Sequence, residues 1–144
     1  ASGKGRLLLD VKDAGMGRAI ARALKEAGVS PEAVWLSRNV DAQARKNFRR
    51  HVPGAPIIWG EPPASLDDKE FGALKAEGVA AFDVDISSVS REFVEAAHAR
   101  GIKVFAYTVL DPETLLKAAA LGVDGVETDF PAALDSWMPR KTAP

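Results

Sequence analysis

Along the chain, short apolar runs alternate with segments in which apolar residues recur every three or four positions, and glycine or proline marks most of the boundaries. The clearest instance is Lys103 to Pro131, KVFAYTVLDPETLLKAAALGVDGVETDFP. Lys103 to Val109 alternates and is rich in β-forming side chains, which predicts a strand. Asp111, Pro112 and Glu113 then supply an N-cap, a first-turn proline and a first-turn acid, so a helix is expected to start there. It runs through Leu115, Leu116 and the alanines to Gly122, the residue type that ends helices in a left-handed cap, and Val123 to Glu127 opens the next strand. The unit is strand-helix-strand, and such crossovers are right-handed.

The same signals organise the rest of the chain. Arg6 to Val11 reads as a short strand with Leu8, Asp10 and Lys12 on one face. Gly15, Met16 and Gly17 form a turn, and Ile20, Ala21, Leu24 and Ala27 recur at helical spacing up to Gly28. Ala33 to Ser37 is a strand, Asp41 to Arg50 a helix and Ala55 to Gly60 a strand. Glu61, Pro62 and Pro63 make a rigid loop, followed by a helix over Leu66 to Glu77 and a strand over Val79 to Val84. Ser90 caps a helix carrying Phe93, Val94 and Ala97 on one face, Gly101 stops it, and Pro131 begins a last short helix.

Gly28, Gly78, Gly101 and Gly122 each stand directly before a valine or isoleucine that opens the next segment. This weak internal repeat has a period of about 24 residues, tighter than the roughly 30 residues per unit of an eight-fold β/α barrel. Alternating β and α elements predict a parallel sheet covered by helices, and a single row of short, even units favours a barrel over a doubly wound sheet. About six units fit, whereas eight need about 200 residues or more. The expected fold is therefore a TIM-barrel-like β/α repeat in one domain, short of a full barrel by about two units.

Composition adds exclusions. With 144 residues, 47% hydrophobic and 27% charged, this is an ordinary globular composition. Nineteen basic and twenty acidic residues leave a net charge of −1, which provides no field for a nucleic acid or an anionic membrane. The basic run Lys46 to His51 reads as the solvated face of a helix. No apolar run approaches the roughly 20 residues of a membrane span, and no signal-peptide core is present, so a soluble, cytoplasmic protein is expected. The absence of cysteine excludes disulfides, thiolate metal sites and a cysteine nucleophile.

Catalytic groups of β/α barrels gather at the C-terminal ends of the strands. There the sequence places Asp10 and Lys12, then Asp83 and Asp85, then Tyr107, Glu127 and Asp129. Carboxylates without softer ligands suit Mg²⁺ or Ca²⁺, and Lys12 suits a phosphoryl oxygen as a point charge. Asp83 and Asp85 have two readings: metal ligands, or a capping and loop-solvating pair. Tyr107 is either an aromatic wall for a substrate head group or a packed barrel aromatic. His98 sits where it meets a helix C-terminal dipole, and His51 falls in a loop at the wrong end of the strands, so neither reads as an acid or base. Gly15-Met16-Gly17 lacks the longer glycine fingerprints of a phosphate loop and reads as a turn. Trp35, Trp59 and Trp137 show no stacking pattern and read as core or interface residues.

The stretch AHARGIKVFAYTVLDPETLLKAAALGVDGVETDFP resembles the C-terminal signature of the glycerophosphodiester phosphodiesterases, and LLLDVK resembles that family's third strand. The matching positions are Gly101, Thr108, Val109, Gly122 to Gly125, Thr128, Asp129 and Pro131. Tyr107 stands where tryptophan is usual and Leu110 where asparagine is usual. LLLDVK resembles a Glu-x-Lys motif, with Asp10 in the glutamate's place, shorter by one methylene, and Lys12 matching.

The resemblance implies a phosphodiester hydrolase on a TIM barrel, acting in lipid metabolism on small glycerophosphodiesters to give sn-glycerol 3-phosphate and an alcohol. It implies a divalent cation, Mg²⁺ or Ca²⁺, held by carboxylates, with two histidines as acid and base. It also implies that the chain corresponds to strands three to eight of eight. The family's His-Arg-Gly, Glu-Asn-Thr and His-Asp motifs and its acidic metal pair fall before the third strand, and Ala1 to Gly5 supplies none of them. A truncated gene, a cleaved fragment or a degenerate paralogue is expected, inactive or nearly so by itself, with Lys12 and Tyr107 on the substrate side and Asp10 as the metal candidate ahead of Asp83 and Asp85. The alternative is a non-catalytic β/α module that binds a partner or itself through exposed sheet edges. A homo-oligomer is expected on that ground.

Overall fold

The computed structural model describes residues 5–38, 42–60 and 67–138. The chain divides into two compact units, Ala1–Phe82 and Asp83–Pro144, and the division falls inside a strand. The first unit contains β1 (Leu7–Asp10), α1 (Gly17–Glu26), β2 (Val34–Arg38), α2 (Ala42–His51), β3 (Ile57–Trp59), α3 (Asp68–Ala76) and most of β4 (Val79–Asp85). The second contains the end of β4, then α4 (Arg91–Ala99), β5 (Lys103–Tyr107), α5 (Pro112–Leu121), β6 (Gly125–Val126) and the short α6 (Leu134–Trp137). Strands pair in chain order, β1-β2-β3-β4-β5-β6. The fold is the TIM-barrel-like β/α repeat that the alternation predicts, with six strands among the described residues.

In the first unit the ladders are parallel, with Leu7 opposite Val34, Leu36 opposite Ile57, and Ile57 opposite Val79. Val34 and Leu36 bury one face of β2, and in β3 and β4 both faces are covered, with Ile57, Ile58, Val79, Ala81 and Phe82 buried. Phe71 of α3 meets Phe82 edge to face at 5.7 Å. β1 does not share this environment, since Leu7 is 53% exposed and Leu8 44%.

α1 has no side-chain cap. Its first amide, that of Gly17, instead donates to Asn47 Oδ1 of α2 at 3.0 Å. The approach is so close that a Cβ on residue 17 would collide with that oxygen, so only glycine fits. Asn47 belongs to the basic run read as a solvated face. Lys46, Arg49 and Arg50 of that run are exposed, while Phe48 anchors it in the core. His51 is the last residue of α2, not part of a loop as the sequence suggests. The amide of Val52, itself buried, still donates to Phe48 O at 2.7 Å and so carries the helical pattern through His51.

In the second unit the cap signals act as read. Ser90 accepts from Phe93 N, and Asp111 accepts from Thr114 N at 2.8 Å. Gly122 ends α5 at φ 81°. Asp67 caps α3 in the first unit in the same way. β1, β3, β5 and β6 are shorter than the sequence suggests, whereas β4 runs one residue further, to Asp85. The expected loop of Glu61, Pro62 and Pro63 and the helix positions Asp41 and Leu66 lie outside the described residues. Among the described residues no helix is long and apolar enough to cross a membrane.

A tie that the sequence did not announce joins α4 to the segment before β6. Asp124 Oδ2 lies 2.8 Å from His98 Nε2 and also accepts from Val104 N at 2.8 Å. Burial works against the charge on Asp124, but the bonds from Val104 and His98 outweigh it and hold its carboxyl below the usual value. A carboxyl depressed in the folded state adds stability that is full above its unfolded value, about 3.9, and is lost as pH falls through the folded value. Asp124→Asn is thus expected to flatten the acid limb of stability below about pH 4. Urea midpoints measured from about pH 6 down to about pH 3 test this, and parallel acid limbs for the two proteins would contradict it.

Candidate functional site

Two groups of candidate side chains stand at strand C-terminal ends, one in each unit. In the first unit, β1 ends at Asp10 and the chain turns towards α1, with Asp13 Oδ1 accepting from Gly15 N at 2.6 Å. Lys12 is ion-paired to Asp10, and their side chains are 84% and 56% exposed. An exposed pair of this kind contributes little to stability and is easily opened by a competing anion. Beside it lies an open groove of about 340 Å³, lined by Leu9, Val11, Met16 and Ile20 together with Asp10, Lys12 and Asp13.

In the second unit, Asp83 and Asp85 close β4, Tyr107 closes β5, and Glu127 follows β6. Backbone bonds lock these ends together: Ile86 N donates to Tyr107 O at 2.7 Å, Glu127 N to Ala106 O and Val109 N to Glu127 O, both at 2.9 Å. Burial pushes the Tyr107 phenol up, and the negative charges of Asp83, Asp85 and Glu127 push it the same way. Asp83 is buried, whereas Asp85 is exposed. Asp85 accepts from Ser87 N at 2.7 Å, and the hydrogen bonds from Ser87 hold its carboxyl below the usual value. That bond gives Asp85 a turn-forming role. Asp129 is exposed two residues beyond Glu127.

The structure therefore brings Asp10 to Lys12, and Tyr107 within reach of three carboxylate charges. Among the described residues no three His, Asp or Glu side chains form a group that could hold a metal ion, so they do not supply a complete donor set by themselves. Both histidines sit in the last turns of helices, His51 in α2 and His98 in α4, and helix ends of this kind lead into strand starts rather than strand ends.

Sequence reading did not find the buried Arg45. Its guanidinium lies 3.9 Å from the centroid of Trp59 and is ion-paired to Glu77. Nothing local marks it, because its partners come from β3 and from the end of α3. Trp59 is thereby explained as a stacking surface for Arg45 rather than for a ligand.

The chain matches the model of the glycerophosphoryl diester phosphodiesterase family over residues 9–133. It is 30% identical over 93 residues to YhdW of Bacillus subtilis (strain 168), named as a glycerophosphodiester phosphodiesterase, a match covering 60% of this chain and 36% of YhdW. Among solved structures it is similar to one named as a glycerophosphoryl diester phosphodiesterase from Silicibacter pomeroyi DSS-3, with a TM-score of 0.76 and 24% identity, over 92% of this chain and 50% of that one. It is also similar to an Oleispira antarctica phosphodiesterase in complex with the product sn-glycerol 3-phosphate, with a TM-score of 0.71 and 20% identity, over 92% of this chain and 53% of that one. The chain spans about half the length of these two structures.

Tyr107 is the single tyrosine of the sequence, so phenolate absorbance reports it alone. Its titration is expected to lie above the ordinary value of about 10 and to move down towards it in Asp85→Asn. A midpoint at the ordinary value would contradict this, and one that Asp85→Asn leaves unmoved would mean that Asp85 does not act on the phenol.

Proposed function

Because the chain belongs to the glycerophosphoryl diester phosphodiesterase family, we propose that it carries the phosphate-side part of a site for hydrolysing glycerophosphodiesters to sn-glycerol 3-phosphate and an alcohol, a reaction of lipid metabolism. The observation that carries this reading is the Asp10 and Lys12 pair at the C-terminal end of β1, inside the matched region. Lys12 projects into solvent and is held only by an exposed ion pair, so a phosphate oxygen competes for it at little cost. Tyr107 serves as the aromatic wall on the substrate side. Asp10 is the carboxylate we assign to a divalent cation, Mg²⁺ or Ca²⁺, with Asp83 and Asp85 as weaker candidates; the remaining donors come from outside the described residues.

We further propose that the chain by itself turns over little or no substrate. Hydrolysis needs an acid for the leaving alcohol and a base for the attacking water. Both histidines lie in the final turns of α2 and α4, so neither stands at a strand end to take those roles. A second reading is favoured by the exposure of Leu7 and Leu8: a β/α module that associates, with itself as a homo-oligomer or with a partner, through an open sheet edge.

The product held by the Oleispira antarctica relative is the ligand to test. Weak binding of sn-glycerol 3-phosphate, followed by NMR, is expected, with Lys12→Ala lowering the affinity about tenfold, the size of one charge-assisted contact. Equal affinity for the two proteins, or no binding by either, would contradict the assignment of Lys12.

A further inference from the structure

We propose that the cavity between the end of α2 and the starting ends of β3 and β4 binds a small organic anion, a carboxylate or a phosphate monoester with an apolar body, through Arg49. The cavity measures about 320 Å³ and is lined by Arg49, the loop of residues 52–56, and Gly78. Pro56 directly precedes β3 and Gly78 directly precedes β4, so it opens where strands begin. Asp10 and Lys12 stand where β1 ends, and the cavity plays no part in the phosphodiesterase reading.

Two arginines one turn apart on α2 have different surroundings. Arg45 is buried, ion-paired to Glu77 and stacked on Trp59. Arg49 is exposed and forms no ion pair among the described residues. Its side chain is nevertheless seated. A Cβ on residue 78 would come within 2.8 Å of Arg49 Cδ and 3.3 Å of its Nη1, so the stem lies against the glycine and fixes where the guanidinium stands. It is also the single charged side chain in the lining. The facing wall is held at both ends: Ala55 N donates to Val52 O at 3.2 Å, Leu36 N to Pro56 O at 3.0 Å and Ile57 N to Gly78 O at 3.2 Å. Pro53 and Pro56 fix their own φ angles within it. A wall already ordered loses little freedom when a ligand enters.

The chemistry of the lining selects the ligand. A guanidinium presents a planar fork of donors that matches two oxygens of a carboxylate or phosphate. Val52, Pro53, Ala55 and Pro56 supply apolar surface beside it, and the volume is at the small end of ligand pockets, which run from roughly 300 to 1,000 Å³. The Gly54 amide donates to no backbone carbonyl among the described residues, which leaves a second donor in the same wall. Two features oppose an anion. The C-terminal end of α2 is the negative end of its dipole, and Glu32 Cγ lies 3.6 Å from where a Cβ of residue 54 would stand. Glu32 is exposed and screened by solvent, so a direct charge-assisted contact to Arg49 outweighs both and the binding is weak but specific.

Benzoate and phenyl phosphate are the probes, with benzamide as the uncharged counterpart of benzoate. Followed by NMR on the whole chain, at least one of the two anions is expected to bind with millimolar affinity and to shift the amides of Gly54 and Gly78; the tighter of the two names the head group. Benzamide is expected to bind at least tenfold more weakly than benzoate. Arg49→Gln, at an exposed position, is expected to lower the affinity at least tenfold while keeping the urea midpoint of the free chain, whereas Arg50→Gln, an exposed neighbour outside the lining, leaves it within about twofold. No binding by either anion, benzamide binding as well as benzoate, indifference to Arg49→Gln, an equal loss in Arg50→Gln, or shifts confined to Gly15 in the turn after Lys12 would each overturn the proposal.

Discussion

A strand in a parallel sheet is stable when both of its faces are covered and both of its edges are paired, and the rest of this structure follows from where that requirement is met. It is met best in β3 and β4, where Ile57 and Ile58, and Ala81 and Phe82, are neighbouring buried residues on opposite faces and each strand is paired on both sides. At β1, Leu7 and Leu8 are exposed, and the ion pair of Asp10 with Lys12 stands at the end of that strand.

The chemistry inherits this asymmetry. At the end of β1, charge is exposed, in the ion pair of Lys12 with Asp10. At the ends of β4, β5 and β6 it is partly buried and fixed by backbone hydrogen bonds, and the effect is a tyrosine made harder to ionise by burial and by the carboxylates around it. Neither group holds a histidine. On the proposed reading, an exposed cation and candidate carboxylates without an acid-base pair beside them would bind a phosphate more readily than turn a diester over.

Much of the fold was legible in the sequence because its signals are local. Asp111, Pro112 and Gly122 fix both ends of α5 from within a dozen residues, and Ser90 does the same for the start of α4. Strand ends were legible as places where chemistry gathers, which brought out Asp10, Lys12, Asp83, Asp85 and Tyr107 together. What stayed hidden depends on partners distant in sequence. The His98 and Asp124 tie spans 26 residues, and the Arg45 pair with Glu77 spans 32. No propensity or period encodes such pairings; they arise only when tertiary packing brings the elements together. His51 was misplaced for a related reason, since the buried Val52 draws α2 one residue further than its composition indicates.

On the proposed reading, this chain carries the phosphate side of a phosphodiesterase site, and the described residues do not supply the acid and base that complete it. The most direct test is release of sn-glycerol 3-phosphate from glycerophosphocholine by the folded chain alone, with Mg²⁺ or Ca²⁺ supplied. No turnover above the uncatalysed rate is expected. Metal-dependent turnover that disappears in Lys12→Ala would contradict it, because it would place a working acid and base within these residues.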